Sequence, residues 1–417
     1  MTVKVPKDKT IDNTLAIFKD GYNFIPKRVQ NHHLDVYETR VLGEKVALLS
    51  GIEGAKLFYD TSRMNRKNAL PKRVLKTLFG EDAIQTMDGD AHTHRKLLFM
   101  SLMTPDALQE LYELTTENWA RFTKKWSSMK KVVLYDESRE LLCRTACEWA
   151  GIPLEEKEVK KRTRDLSNMI DGFSAVGPKH IESRRARKRS EDWIEDLILQ
   201  VRQGELEAEK GKAIHEMAVH KDLEGQPLDA RMAAIEVLNV IRPLVAISKF
   251  IAFGGVALHE NPETQTRVGL DDEYLFHFAQ EVRRYFPFVP FLGARVDHDF
   301  TWQQYPFKKD QLVLIDIYGI NHDPKIWENP DQFNPERFID WDGGLFDLVP
   351  QGGGGYYKGH RCPGEWPTIE VLQASFRYMT KHLGYDVPKQ DYSYSLKKMP
   401  ALPKSGFMIS NVHFKNG

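Results

Sequence analysis

The chain has 417 residues and carries 59 lysine and arginine residues against 59 aspartate and glutamate. That length allows a large core, and the zero net charge excludes a global pull toward nucleic acid or an anionic membrane. Three cysteines (Cys143, Cys147, Cys362) do not make a disulfide framework and point to a reducing compartment.

The start, "MTVKVPKDKTIDN", is polar and lacks the apolar core of a signal peptide. Residues 36–50, "VYETRVLGEKVALLS", alternate about a turn and predict a hairpin. From about 51 to 286 most segments carry apolar residues at three-and-four spacing and predict helices. The longest runs from Asp229 to about Glu260, roughly 48 Å at 1.5 Å per residue. It is apolar on most faces, as a central buried helix should be, yet it contains Arg242 and Pro243. Short strands are predicted near 295–302 and 311–318. Pro-rich coil follows over 323–340, then a glycine run, then one helix after Cys362. No apolar stretch near ~20 residues is free of charge, so no membrane span is expected. There is no internal repeat and no flexible linker. The expected fold is mainly α with small β-sheets, one domain over 1–417, in the cytoplasm.

Several motifs fall short of a function. "HEMAVH" (215–220) resembles a zinc-protease motif, but the partner of His215 should stand at 219, which is valine. The glycine run ends "GYYKGHR", without the lysine and hydroxyl of a phosphate loop. "SRRARKRSEDWIED" (183–196) is basic, and its arginines have acids one turn on, such as Arg187 with Glu191. A solvated helix face fits that pattern better than a docking patch.

"PQGGGGYYKGHRCPGE" (350–365) presents Cys362 between a glycine-rich turn and a helix start. A helix N-terminus stabilises a thiolate, and glycines let backbone approach a flat ligand. Locally this reads as a nucleophile, a metal ligand or an inert buried cysteine. Two other stretches bear on it. "EVRR" puts Glu281 and Arg284 on one helical face, and "NPERF" adds Arg337. Together with the cysteine loop, these residues resemble the cytochrome P-450 superfamily over nearly the full chain. The resemblance implies the cytochrome P-450 fold, haem b ligated by the Cys362 thiolate, and a structural triad of Glu281, Arg284 and Arg337. It implies haem-propionate partners at Arg66, His92 and Lys96, with His360 also in the cofactor set; each could instead be an ordinary surface charge. One departure is Gly355, where the family has an aromatic seven residues before the cysteine.

In that superfamily the central helix carries an acid followed by an alcohol, which deliver protons to bound dioxygen. Here the stretch reads Val240, Ile241, Arg242, Pro243, Leu244, Val245, Ala246. The Arg-Pro replacement resembles the bacterial fatty-acid peroxygenase branch. Arg242 would then hold a fatty-acid carboxylate in a planar fork, and that carboxylate would replace the missing acid–base group. Pro243 would kink the helix and free the Asn239 carbonyl. The implied partners are a long-chain fatty acid and hydrogen peroxide, with no obligatory redox partner. Hydroxylation at the α or β carbon is the expected reaction. Gln85, which does not titrate, favours it over decarboxylation to a terminal alkene. A reductase-coupled monooxygenase lacks the acid–alcohol pair, and a haem sensor or carrier gives no reason for Arg242. Leu78, Phe79, Ile170, Phe173, Phe288, Val289 and Phe291 are candidates for the chain's channel, or plain core.

Overall fold

Leu42 (φ 52°) and Gly43 (φ 76°) close the predicted hairpin between β1 (Val36–Val41) and β2 (Glu44–Leu49). Two left-handed residues in a two-residue turn match the right-handed twist of the strands. The register runs from Val36 opposite Leu49 to Val41 opposite Glu44. With β3 (Met64–Asn65), β4 (Phe291–Val296) and β5 (Leu312–Asp316) the hairpin builds one sheet, in the order β1-β2-β5-β4-β3. The β2–β5 pairing is parallel and the others antiparallel. Ala47, Leu49, Val313 and Ile315 join one core cluster, while Val46, Leu48 and Leu314 join another. That is the period-two alternation of a sheet buried on both faces. The computed structural model describes residues 6–30 and 34–415; the first five residues of the polar start lie outside them.

The helices that carry the site are α1 (Gly89–Ser101), α2 (Pro105–Trp126), α3 (Leu134–Ala150), α4 (Val159–Gly172), α5 (Pro178–Gln203), α6 (Ala230–Ala246), α7 (Ser248–Glu260), α8 (Asp272–Tyr285) and α9 (Glu365–Lys381). Their ends follow local chemistry. The Thr104 hydroxyl accepts from Ala107 N–H ahead of α2, with Pro105 at the first helical position. Asp229 accepts from the N–H groups of Arg231 and Met232. Gly151 and Gly204 end α3 and α5 in left-handed conformations.

The single long helix expected from Asp229 to Glu260 is two. It breaks at Ile247, whose N–H turns to the Leu244 carbonyl at 3.1 Å. Pro243 lies one turn upstream and has no N–H for the Asn239 carbonyl. As expected, no stretch of ~20 residues within Ala230–Glu260 is free of charge. The segment is nevertheless apolar enough by length and composition to cross a membrane (mean hydropathy 1.6), and 94% of its most apolar stretch is buried inside the protein. Leu238, Ile241, Val245 and Ile251 are fully buried in it, each stabilising the fold by ~1.5–3 kcal/mol. The predicted strands near 295–302 and 311–318 appear as Phe291–Val296, Phe300–Trp302 and Leu312–Asp316, and the last helix is α9. A sheet joining Val132–Val133, Met408–Phe414 and Leu383–Asp386 was not anticipated.

The basic stretch 183–196 is only partly a solvated face. Arg184, Arg185 and Lys188 are exposed. Arg187 is buried, because its neighbours on the inner side of α5 are backbone carbonyls and not water. In "HEMAVH", His215 turns to Glu216 at 3.0 Å, and His220 packs at a tilt against His94, 4.9 Å between ring centres.

Candidate active site

The Cys362 loop is set by glycines and by buried charge. Gly352 (φ 94°) and Gly354 (φ 85°) hold conformations that favour glycine. A Cβ on Gly353 would stand 2.9 Å from the Leu345 carbonyl. Cys362 N–H donates to the Gln351 carbonyl at 2.9 Å, and Cys362 itself is only half-buried, just ahead of α9. Burial pushes the thiol's pKa up; the Lys96 ammonium and the Gly364 N–H oppose that shift. Around it lies a buried ion cluster. Glu365 accepts from Arg361 at 2.6 and 3.0 Å and from Arg283 at 2.6 Å, and Arg283 also reaches the Gln351 side chain at 2.8 Å. These residues were missed in the sequence. Arg361 and Glu365 stand four apart on either side of Cys362, a pairing signal that was legible.

The expected triad is present. Arg284 grips Glu281 at 2.6 and 2.8 Å, and Arg337 donates to Glu281 at 3.2 Å. Arg284 also donates to the Asn321 carbonyl at 2.7 Å, tying α8 to the segment after β5. Removing the carboxylate would strand two buried cations. Glu281→Ala is therefore expected to lose about 3–5 kcal/mol of stability, read as a lowered midpoint in denaturant unfolding. An unchanged midpoint would show that the triad contributes little.

Arg66, His92, Lys96 and His360 converge on one side of the loop, and all are largely buried. The His92 and His360 rings lie 4.0 Å apart, tilted by 33°, and His360 Nε2 is 3.4 Å from Asp88. Asp88 also accepts from the N–H groups of Arg66 and Lys67. Lys96 donates to the Arg361 carbonyl. Burial lowers His92 to about 3 and His360 to about 4, so both rings are neutral at pH 7. Arg66 is lowered to about 10 and Lys96 to about 8, again mainly by burial, and both stay cationic. Among the described residues, Arg66 Nη1 is buried without a partner. A buried cationic cluster with an orphaned N–H, beside a glycine cradle and a cysteine, fits the propionates and face of a haem.

Arg242 is 5% exposed. Its Nη2 donates to Asn239 Oδ1 at 3.2 Å, its Nε is buried without a partner, and its guanidinium lies 5.6 Å from the Phe79 ring centre. Among the described residues it has no carboxylate within ion-pair distance. Burial, then Arg187, lowers its pKa to about 9, opposed by Cys362; it is still charged at neutral pH. Only the backbone carbonyl of Asn239 was singled out in the sequence, yet its side chain organises the surroundings of Arg242. Its Nδ2 donates to Glu236 at 3.0 Å, to the Phe79 carbonyl at 3.1 Å and to Gln85 at 3.4 Å. Glu236, fully buried, is neutralised by Arg95 at 2.7 Å. Pro243 is half-buried in the next position of α6.

The structure thus brings Phe79 and Gln85 to Arg242, with Leu78 beside Phe79. Of the other channel candidates, Ile170 and Phe288 belong to the main core, where Phe288 stacks on Phe250 at 4.7 Å. Val289 packs on the sheet cluster, and Phe291 lies 6.1 Å from Phe24. Phe173 is half-buried just after α4.

A loop-borne cysteine backed by a Glu–Arg–Arg triad and faced by a buried cationic cluster defines a cysteine-ligated haem protein. A family profile for cytochrome P-450 matches residues 259–362 and ends at the cysteine. A variant of cytochrome P-450 OleT, solved in complex with arachidonic acid, superposes with a TM-score of 0.97 at 39% identity, covering 100% of both chains. Wild-type cytochrome P-450EX alpha with myristic acid gives 0.95 at 40% identity, over 99% of this chain and 100% of that one. A curated relative, mitochondrial cytochrome P-450 4e5 of Drosophila mettleri, is 22% identical over 331 residues, 66% of this chain and 63% of its own length. Cytochrome P-450 71B29 of Arabidopsis thaliana is 26% identical over 237 residues, 54% of this chain and 47% of its own. The chain spans less than two thirds of these curated relatives and the whole of the two solved structures. It belongs to the cytochrome P-450 family, and its cofactor is haem b held by a cysteine thiolate.

Proposed function

We propose that the protein uses hydrogen peroxide to hydroxylate long-chain fatty acids at the α or β carbon, as a single haem domain over 1–417 acting in the cytoplasm. It needs no redox partner. The observation that carries this reading is Arg242, a buried guanidinium with no carboxylate partner among the described residues, in a helix without the family's acid–alcohol pair. The fatty acids held by the two solved neighbours support the substrate class.

Cys362 would hold the haem iron through its thiolate, Arg66, His92 and Lys96 would hold the propionates, and His360 would complete the cofactor set. The haem, when bound, supplies the transfer of one peroxide oxygen to carbon. Overall one C–H bond becomes C–OH, the O–O bond breaks, and the second oxygen leaves as water. Arg242 binds and orients the substrate carboxylate through charge-assisted N–H bonds. That carboxylate, fixed in place, accepts and returns the peroxide proton at its own oxygen, as a general base and then acid. Asn239 holds Arg242 in register. The short tether from carboxylate to Cα and Cβ confines attack to the first carbons. The test is direct: purified holoprotein, a long-chain fatty acid and hydrogen peroxide, without reductase, with products identified by mass spectrometry. Absence of any oxidised acid overturns the reading.

Gln85 bears on the competing loss of carbon dioxide, which converts acid and peroxide to alkene, carbon dioxide and two waters. Its side chain sits 3.4 Å from Asn239, beside the anchor, and stays neutral. Histidine there could exchange a proton near neutral pH. A small barrier difference decides the branch, since ~1.4 kcal/mol is a factor of ten. Wild type is expected to give mostly hydroxy acids, and Gln85→His a larger alkene share of total product at matched peroxide. An unchanged share would remove Gln85 from the branch point.

A further inference from the structure

Leu75–Phe79 forms a π-type turn, a rare conformation that leaves carbonyls at its C-terminal end in need of donors. Arg187, inside the stretch expected to face solvent, supplies them. Nη1 donates to the Leu78 carbonyl at 2.7 Å and Nη2 to the Phe79 carbonyl at 3.2 Å, while Nε donates to Glu191 at 2.5 Å. A rigid planar fork can meet two consecutive carbonyls and a carboxylate at once; a lysine ammonium cannot reproduce that geometry. The same Phe79 carbonyl accepts from Asn239 Nδ2, and Asn239 Oδ1 accepts from Arg242. Gly80, at φ 98°, leaves no slack: a Cβ there would stand 2.6 Å from Ile235 and 2.7 Å from Arg187 Nη2. The turn and the Arg242 anchor are therefore one hydrogen-bonded unit, and Arg187 is the end of it that is fixed to α5.

We propose that Arg187 is a positioning residue that sets regiochemistry: by fixing Phe79 against Arg242, it decides whether the α or the β carbon of the anchored acid is presented for oxidation. The inference rests on Arg242 anchoring a fatty acid. With the carboxylate held, Cα and Cβ differ by a single bond in their distance from the anchor. A displacement of ~1 Å in the wall that steers them is enough to change relative rates by up to ~10²-fold.

Arg187→Lys keeps the charge and loses the fork. The experiment supplies myristic acid and hydrogen peroxide to the holoprotein and measures the ratio of α- to β-hydroxy acid. The myristate dissociation constant and the carbon monoxide difference spectrum are recorded on the same samples. The ratio is expected to shift roughly three- to tenfold, the scale on which a hydrogen bond's loss is felt, with the spectrum unchanged and the dissociation constant altered much less. Gly80→Ala disturbs the same contact from the other side and is expected to shift the ratio too; it carries the test if Arg187→Lys does not fold. Glu191→Gln, which leaves both carbonyl bonds in place, is expected to keep the wild-type ratio. An active wild type whose ratio is unmoved in both Arg187→Lys and Gly80→Ala overturns this proposal alone. A wild type that binds myristate but yields no oxidised acid overturns the functional reading, and the proposal with it.

Discussion

Cys362→Ala is expected to fold and yet give no red-shifted Soret band in its reduced carbon monoxide complex, the spectral mark of thiolate ligation. The substitution removes the one sulfur on the loop without touching what braces it. Cys362 contributes its backbone N–H to Gln351, which alanine retains. The surrounding charges pair among themselves through Arg283, Glu365 and Arg361. No other cysteine can substitute. Cys143 and Cys147 are fully buried in the interior of α3, packed in the main core. Thiolate ligation also controls how strongly the ligand donates electron density to the iron, so peroxide-driven turnover is expected to vanish with the band. The measurement is the difference spectrum of wild type and variant at equal haem content, with circular dichroism to show that both are folded. A normal band in Cys362→Ala would mean that another group holds the iron.

Features carried by local chemistry were legible before the structure. The hairpin over 36–50 announces itself by alternation, α6 and α7 by apolar periodicity, and the cysteine loop by its glycines. Glu281 and Arg284 were found because three residues on a helix share a face. Features that depend on a distant partner were not. Val132–Val133 is too short to read as a strand until Met408–Phe414 lies beside it. Arg187 looks like any arginine of a basic helix, because its partners are carbonyls 108 and 109 residues away, which have no sequence signature. The Asn239 side chain likewise carries no signal until Glu236, Phe79, Gln85 and Arg242 surround it. The break at Ile247 was half-legible. Pro243 told of a fault in the helix, but a proline can be absorbed as a kink, and its sequence position does not say where the ladder gives way.

Arg242→Ala is expected to keep haem and fold but lose nearly all peroxide-driven fatty-acid oxidation. Two losses combine. The first is binding: a charge-assisted contact to the carboxylate contributes ~1.5–3 kcal/mol, seen as a weakened fatty-acid dissociation constant. The second is proton transfer: a carboxylate no longer fixed beside the peroxide cannot serve as base and acid, a loss of roughly 10²–10⁴ in rate. The fold should tolerate the change better than most buried truncations. Among the described residues Arg242 leaves behind no carboxylate, only Asn239 Oδ1, which loses one donor. The pH profile offers an independent check with a definite sign. The free guanidinium is lowered to about 9, so wild-type affinity for the acid should hold at neutral pH and fall as pH rises through that region. The bound carboxylate itself favours the charged arginine and moves the fall higher in the complex. Arg242→Ala has no such limb. If the variant oxidises fatty acids at a rate near wild type, the carboxylate anchor lies elsewhere and substrate-assisted proton transfer at Arg242 is wrong.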